Sequence, residues 1–492
     1  MTVKTCSLLK AGILLISLSA CSQTPAPPDP YGAIPSARQL AWHEMEFYGF
    51  LHFTINTFTD KEWGYGDESP DLFHPLAFDA EQIVSTAQMA GMKGLILTCK
   101  HHDGFCLWPS KFTKHSVVSS SWQKGKGDVV RAIAEACRRH GLKFGVYLSP
   151  WDRNHAEYGR PAYVDYYRNQ LRELLTGYGP VFEVWWDGAN GGDGYYGGAR
   201  EKRTIDRSTY YGWEETTRLV RELQPEAVIF SDAGPDLRWV GNEKGIAGDP
   251  CWQTYTPVPR EGEKKAGPGT TRYQEATNGH RDGKFWMPAE ADVSIRPGWF
   301  WHEEQNDKVR SARNLVDLYY ASIGRGASLL LNLPPDRRGI IHENDVASLK
   351  EFRRILDETF TVNYARNAEI SVNNVRAKSD GFSGVNLTDG NRQTYWSTDD
   401  HVSQAEVVVT LNQTKEINVV LLREYLPLGQ RVTAWSLDLW KDDQWIEFAS
   451  GESIGSCRLW RGAPVTGKKF RLRLSGPVCP ALSELGLYRE PL

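Results

Sequence analysis

The sequence predicts an α/β protein: a TIM-like (β/α) barrel over residues 35–365, followed by an all-β sandwich over residues 366–492. Three observations carry this reading. Seven apolar runs of strand length alternate with helical stretches across the first span. Polar and aromatic residues gather at the C-terminal ends of those runs, where barrels and open α/β sheets keep their chemistry. After Thr361 the texture changes to short alternating strands and turns with no long helical period. A doubly wound sheet is the main rival for the first span, because an eighth strand is not obvious. The chain has 492 residues, 40% hydrophobic and 24% charged, too many for one ordinary domain.

The N-terminus reads as a targeting segment. Lys4 and Lys10 precede an apolar run from Ala11 to Leu18, too short to span a bilayer as a mature helix. Residues 1–20 are thus expected to be removed as a signal peptide. Leu18-Ser19-Ala20-Cys21 resembles a bacterial lipobox, which implies lipidation of Cys21, export and a membrane anchor in a bacterial envelope. An ordinary signal peptide cleaved nearby is the alternative. Residues 21–34, with four prolines between Ser22 and Pro30, read as a tether.

The barrel strands are expected at Phe47–Phe53, Gly94–Cys99, Lys143–Ser149, Phe182–Trp186, Ala227–Ser231, Phe285–Ala289 and Ser328–Leu333. Helices are expected at Asp128–His140, where Val129, Val130, Ile133, Ala134 and Cys137 share a face, and at Tyr163–Leu175 and Asp307–Ile323. Glu343–Phe360 closes the catalytic domain. In the C-terminal module the strands include Ala405–Leu411, Ile417–Leu422, Trp435–Leu439 and Phe470–Leu474. Cys99, Cys106, Cys137 and Cys251 are scattered without a CxxC and read as buried thiols. Cys457 and Cys479 are available to pair in an oxidising compartment.

A net charge of −4 and the absence of a long basic run argue against a nucleic-acid partner. The 18 Trp mostly serve cores, but such an excess favours carbohydrate, whose apolar ring faces stack on indoles. The most informative run is Val181–Gly188. Five of its first six residues are apolar, Trp185 and Trp186 among them, and it ends in Asp187 ahead of a glycine-rich loop. A carboxylate at the tip of a buried parallel strand, beside flat apolar walls, is a candidate nucleophile. An Asp that merely caps the following turn is the competing reading. Other strand ends bring His52 and Asn56, then Glu62 and Trp63, His101 and His102, Tyr147 and Trp151, Arg238, Glu290 and Trp299. Neighbouring residues on a strand point to opposite faces, and no H-E-x-x-H accompanies His101 and His102, so no catalytic metal is expected. No G-x-S-x-G elbow or P-loop is present. Sugar hydrolysis needs a second carboxyl group. The candidates are Glu243, Glu290, Glu62 and Asp232.

Four stretches together resemble the α-L-fucosidase family, glycoside hydrolase family 29. They are His52 with Asn56; Lys100-His101-His102-Asp103-Gly104-Phe105; Gly145 with Tyr147; and Trp185-Trp186-Asp187-Gly188. The resemblance spans roughly residues 40–360. It implies a retaining exo-enzyme with Asp187 as nucleophile. Arg238-Trp239-Val240-Gly241-Asn242-Glu243 is similar to the branch that prefers α-1,3- and α-1,4-linked fucose on branched glycans, which implies Glu243 as acid/base. The same likeness implies that His52, His101, His102, Glu62, Trp63 and Tyr147 hold the fucose. Trp185, Arg238, Glu290 and Trp299 are read as further substrate contacts on that rim. One departure is the segment Gly188–Gly198, with six glycines in eleven residues. It looks long for the family and flexible by composition, and sits where it would shape subsites beyond fucose.

The C-terminal module resembles the discoidin, or coagulation factor 5/8 type C, sandwich, through Asn386–Trp396 and Glu484. That resemblance implies a carbohydrate-binding type of module with a structural Ca²⁺ held by Asp389, Asn391, Thr394 and Glu484. No catalytic cofactor is expected. The residues also leave open two other functions: an inactive surface glycan-binding protein, and an exo-glycosidase for another sugar such as galactose.

Overall fold

The computed structural model describes Met1 and residues 25–491. The expected signal segment after Met1 and the lipidation site Cys21 lie outside the described residues. Among those residues no helix is long and apolar enough to cross a membrane.

Eight parallel strands close into a barrel. They are β1 (Phe47–Leu51), β2 (Gly94–Lys100), β3 (Lys143–Leu148), β4 (Glu183–Trp185), β5 (Val228–Ser231), β6 (Leu237–Trp239), β7 (Ala289–Ser294) and β8 (Ser328–Asn332), with β8 returning to β1. Around them run α1 (Ala37–His43), α2 (Ala80–Met89), α3 (Val129–His140), α4 (Pro161–Gly177), α5 (Trp213–Leu223), α6 (Ala312–Ala321) and α7 (Glu343–Phe360). Local chemistry sets the helix ends. Asp79 and Asp128 cap α2 and α3 through their carboxylates, and Gly141 ends α3 at φ 71°. Strand alternation separates two apolar layers. Phe47, Leu95, Leu97, Val146, Val184, Ile229 and Leu331 face outward to the helices. Tyr48, Phe50, Ile96, Tyr147, Trp185, Val228, Phe230, Leu237 and Leu330 fill the interior.

The missing eighth strand is β6, inside a stretch expected to be loop. Only residues 232–236 separate it from β5, and no helix intervenes. The seventh barrel strand also differs from expectation. Phe285–Trp286 pairs antiparallel with Thr254–Tyr255 outside the barrel, and the barrel strand begins at Ala289. Its inward face is Glu290, Asp292 and Ser294, so a search for apolar runs slides past it onto Phe285.

The C-terminal domain is a single sheet of seven strands: β9 (Glu369–Val372), β10 (Trp396–Ser397), β11 (Gln404–Glu424), β12 (Ala434–Lys441), β13 (Gln444–Gly451), β14 (Arg458–Ser475) and β15 (Ala481–Tyr488). The expected strands Ala405–Leu411 and Ile417–Leu422 are two halves of β11. Register shifts between Thr410 and Lys415, and between Ile417 and Val419, break its ladder with β14. The first half pairs with β9 and the second with β15, so the sheet folds over its own core of Trp396, Val407, Leu437 and Leu472.

This domain shares a core with the barrel. Leu421, Cys457, Leu459 and Tyr488 join the outer apolar cluster. Arg423 donates to Glu46 at 2.6 Å and Arg392 does so at 3.0 Å. The described part of the expected tether lies on this domain rather than hanging free. The carbonyls of Ala26 and Asp29 accept from Arg376 and Arg431 at 2.7 and 2.8 Å, and Tyr31 N–H donates to Leu428. Cys457 and Cys479, available to pair by sequence, are both buried free thiols and form no disulfide. Cys479 Sγ instead accepts from Arg431.

The residues expected to bind Ca²⁺ do not fit one. Glu484 is paired with Arg423 at 2.9 Å, and Arg392 stands 4.0 Å away. Asp389 is occupied by the Thr394 hydroxyl and the Asn391 N–H at 2.6 and 2.8 Å. Two guanidinium groups beside the only glutamate oppose a dication.

Burial by itself would raise the pKa of Glu46, but Arg423, then Arg392 and Lys93, pull it from 4.5 to about 2. A folded pKa below the unfolded value means the stabilisation is full above the ordinary Glu range and lost as pH falls towards 2. Arg423→Met is therefore expected to cost about 3 kcal/mol in urea unfolding at pH 7, as for a broken buried pair. That difference should shrink as the pH falls from the usual Glu range towards 2.

Candidate active site

The C-terminal ends of the barrel strands open into a cavity of about 810 Å³. Its floor is the last inward layer of the barrel. Trp185 stacks on Phe230 with ring centroids 4.3 Å apart, and Tyr147 and Phe50 pack against the same indole. Trp186, one residue on, faces outward against Trp213, so only one of the two indoles forms a wall.

Asp187 follows Trp185 by one inward step. Its Oδ2 accepts from Tyr147 OH at 2.8 Å and its Oδ1 from the Ala189 N–H at 2.6 Å. The side chain keeps 22% exposure, open to the cavity. Burial raises its pKa above the usual Asp range despite those two donors. Asp232, one inward step past Phe230, is buried and pushed to about 7. It accepts from Gly269 N–H and Tyr273 OH, both at 2.9 Å.

His52, His101 and His102 are neutral, and the tautomers of His52 and His102 follow from their partners. Asn332 uses its amide hydrogens on Ser294 Oγ and the Trp299 carbonyl, so its Oδ1 must accept from His52 Nδ1 at 2.9 Å. The Ser149 hydroxyl donates to the Trp151 carbonyl at 2.6 Å, so Ser149 accepts from His102 Nδ1 at 2.7 Å. Each ring is left with a bare Nε2. Burial holds His52 at about 3, and burial with the nearby Arg153 and Lys100 charges holds His102 there too. His101 is lowered well below its usual range by burial, and its Nδ1 is buried without a protein partner. Adjacent His101 and His102 both line the cavity because β2 ends at Lys100, and strand alternation no longer applies. Lys100 itself points away, to Asp152 at 3.0 Å.

Trp63, 52% exposed, stands edge-on to His102 and Trp151. Across the opening, Trp299 donates from Nε1 to Glu243 Oε2 at 3.2 Å. Glu243 is exposed, on the loop beyond β6. Glu62 lies at the same rim and accepts from the Trp299 N–H at 3.0 Å.

Two expected contacts are not in the cavity. Arg238 is on the outward face of β6, fully buried, with its guanidinium on the carbonyls of Ala276, Met287 and Trp252. Its strand neighbour Trp239 takes the inward position. Glu290 lies below the floor, where it accepts from Trp185 Nε1 at 2.7 Å and from Tyr48. Glu290 therefore braces Trp185 and is removed from the candidates for the second carboxyl. Asp292, one inward step higher, does line the cavity. Burial pushes its pKa well above the usual range, and Trp239 donates to it at 2.6 Å. The sequence signal for Asp292 was the alternation from Ala289 to Ser294. Asp60, His302, Trp239 and Tyr273 were missed as well, since they come from loops or from the unrecognised β6.

The glycine-rich segment is also unlike its composition. Gly192–Gly194 pairs with Glu201–Arg203 as a small hairpin. Arg153 donates to the Asp193 carbonyl at 2.8 Å, and Tyr196 OH joins the Gly192 carbonyl to Trp151 Nε1 at 2.8 and 3.0 Å. The segment thus buttresses Trp151, which packs against the cavity residues His102 and Trp63.

A family model described as alpha-L-fucosidase matches residues 32–358. The chain is 39% identical to alpha-L-fucosidase 1 of Arabidopsis thaliana over 469 residues, covering 94% of this chain and 89% of that protein. Among solved structures, a putative alpha-L-fucosidase from Bacteroides thetaiotaomicron is 39% identical, with a TM-score of 0.84 over 94% of this chain and 99% of that one. A family 29 fucosidase from Ruminococcus gnavus, in complex with fucose, is 30% identical with a TM-score of 0.85, covering 96% and 97%.

The histidine assignments have a direct check. With selectively ¹⁵N-labelled histidine, the rings of His52 and His102 are expected to show one protonated nitrogen, Nδ1, throughout pH 5–8. An imidazolium signature from either ring in that range would contradict the site as described.

Proposed function

Because the chain belongs to the α-L-fucosidase family of glycoside hydrolases, family 29, we propose that it is a retaining exo-enzyme. On this reading it removes terminal L-fucose from α-1,3 and α-1,4 positions of branched glycans. The observation that carries it is Asp187, open to the cavity at the tip of β4 and aimed by Tyr147 OH and the Ala189 N–H. A carboxylate held by two donors beside a closed aromatic floor can attack an anomeric carbon from one direction only. The floor of Phe50, Tyr147, Trp185 and Phe230 leaves room for a terminal sugar and no onward path, which supports exo action. The bare Nε2 atoms of His52 and His102 suit sugar hydroxyl donors.

In this mechanism Glu243 protonates the leaving oxygen, a fucosyl ester forms on Asp187, and Glu243 then draws a proton from the incoming water. An exposed loop acid, beside Trp299 at the mouth, is placed to meet a leaving group outside the pocket. The branch-like stretch Arg238–Glu243 supports the α-1,3/1,4 preference. In it Arg238 anchors β6 and so sets where the Glu243 loop departs. The lipobox supports a mature chain exported and held at a membrane through Cys21.

Azide separates the two carboxyl roles. Asp187→Ala is expected to lose at least ~10³-fold in kcat. With azide it should yield the inverted β-fucosyl azide. Glu243→Ala should slow natural glycans far more than activated aryl fucosides, and with azide should yield the retained α-fucosyl azide. The opposite pairing of products would exchange the roles, and near-normal turnover by folded Asp187→Ala would remove the nucleophile. For linkage, kcat/KM is expected to be higher for a Lewis-type trisaccharide than for nitrophenyl fucoside, because the branch sugar adds transition-state binding. Action on α-1,2-fucosyl-lactose should be slight. An α-1,2 rate equal to the branched rate would overturn the linkage preference alone.

A further inference from the structure

At the pocket rim a charged bridge stands outside the two catalytic roles. His302 has both ring nitrogens on carboxylates: Nδ1 lies 2.8 Å from Asp60 Oδ1 and Nε2 lies 2.8 Å from Glu62 Oε1. Ionised carboxylates only accept, so both nitrogens carry hydrogens and the ring is an imidazolium. Burial opposes this charge, but Glu62 and Asp60 outweigh it and hold His302 above the usual histidine value. Arg337 lies 3.7 Å from Asp60 on its other side.

Glu62 carries the bridge onward. Its Oε2 accepts the Trp299 N–H at 3.0 Å, while Oε1 also accepts the Phe300 N–H at 3.4 Å. The approach is close enough that a Cβ on Gly298 would stand 2.2 Å from Glu62 Oε1. Both Glu62 oxygens are thus engaged by the loop that carries Trp299. The Trp299 carbonyl is tied from below by Asn332 at 2.7 Å. The free end of this assembly is the indole Nε1, which meets Glu243.

We infer that His302, bridging Asp60 and Glu62, is a positioning residue that fixes the Trp299 loop and, through the Trp299 indole, places Glu243 for proton transfer. This rests on Glu243 being the acid/base. Glu243 is exposed on its own loop, and Trp299 Nε1 is the side-chain donor that reaches its carboxylate. A flexible acid without that contact spends less time aimed at the leaving oxygen, and positional freedom of a catalytic group costs rate. Both ring nitrogens of His302 are taken by Asp60 and Glu62, so it makes no hydrogen bond to Glu243. Its influence passes through Glu62 and Trp299 alone.

The test is the leaving-group dependence of His302→Gln, whose neutral amide cannot bridge two carboxylates as a doubly donating cation. The expected loss in kcat/KM is ~10-fold or more for an unactivated disaccharide and less than ~3-fold for dinitrophenyl fucoside, a partial copy of the Glu243→Ala pattern. In the Glu243→Ala background, His302→Gln should add no further loss beyond ~2-fold. Asp60→Asn, at an exposed position whose φ of 60° asparagine tolerates, should show the same selectivity in weaker form and guards against a folding failure of His302→Gln. Equal losses on both substrates, with Glu243→Ala still leaving-group dependent, would reduce His302 to a structural role and overturn the inference while the catalytic reading stands. If Glu243→Ala shows no such dependence, that reading falls, and the inference falls with it.

Discussion

Closing parallel strands into a barrel sends every second side chain inward, and the site depends on this constraint. Each inward series runs from core to cavity without a break. Phe50 leads to His52, Trp185 to Asp187, Phe230 to Asp232 and Glu290 to Asp292, while Leu330 leads to Asn332, which holds His52 from behind the cavity surface. The aromatic layer therefore serves twice. It is the top of the packed interior and also the floor on which a sugar would rest. A shift of one residue in any of these strands would exchange the catalytic side chain for one that faces a helix.

Burial then decides the charge state of almost everything on that floor. Neutral rings at His52, His101 and His102 surround a carboxylate that must ionise to attack. Beneath them Glu183 and Glu290 are both fully buried, and both are raised, by burial first. Two such carboxyls without a cation cannot both be charged. They share a network with Trp42, Tyr48 and Ser328, and it ends on Trp185 Nε1. The polar centre of the barrel is thus an anchor for the indole under the sugar site. At the rim the reverse holds, where the Asp60–His302–Glu62 bridge keeps a full positive charge between two negative ones.

The C-terminal domain acts from below. It contacts the segment before β1 through Glu44 and Glu46, and it packs on the helical layer through Leu421, Leu459 and Tyr488. The described residues just ahead of α1, from Ala26 to Tyr31, are laid along it as well. The domain therefore clamps the closed end of the barrel while the open end carries the chemistry.

Much of this was legible from the residues. The barrel, the switch to an all-β domain, Asp187 at a strand tip, and a rim of histidine, tryptophan and carboxylate all follow from local patterns. A strand buried on both faces needs an apolar run, and a functional residue interrupts that run at its end. Where the inward face of a strand is itself polar, as from Ala289 to Ser294, or only three residues long, as from Leu237 to Trp239, that signal vanishes. Glu290 and Arg238 were consequently read on the rim, and Asp292 was overlooked. Composition also misjudged Gly188–Gly198, because hydrogen bonds from Arg153, Tyr196 and Trp151 order what glycine leaves free. The sequence by itself determined which residue types are available and where strands can end. Only the tertiary structure decided which carboxylates share the cavity, which histidine nitrogens stay bare and which charges are paired, since all of these depend on neighbours distant in the chain.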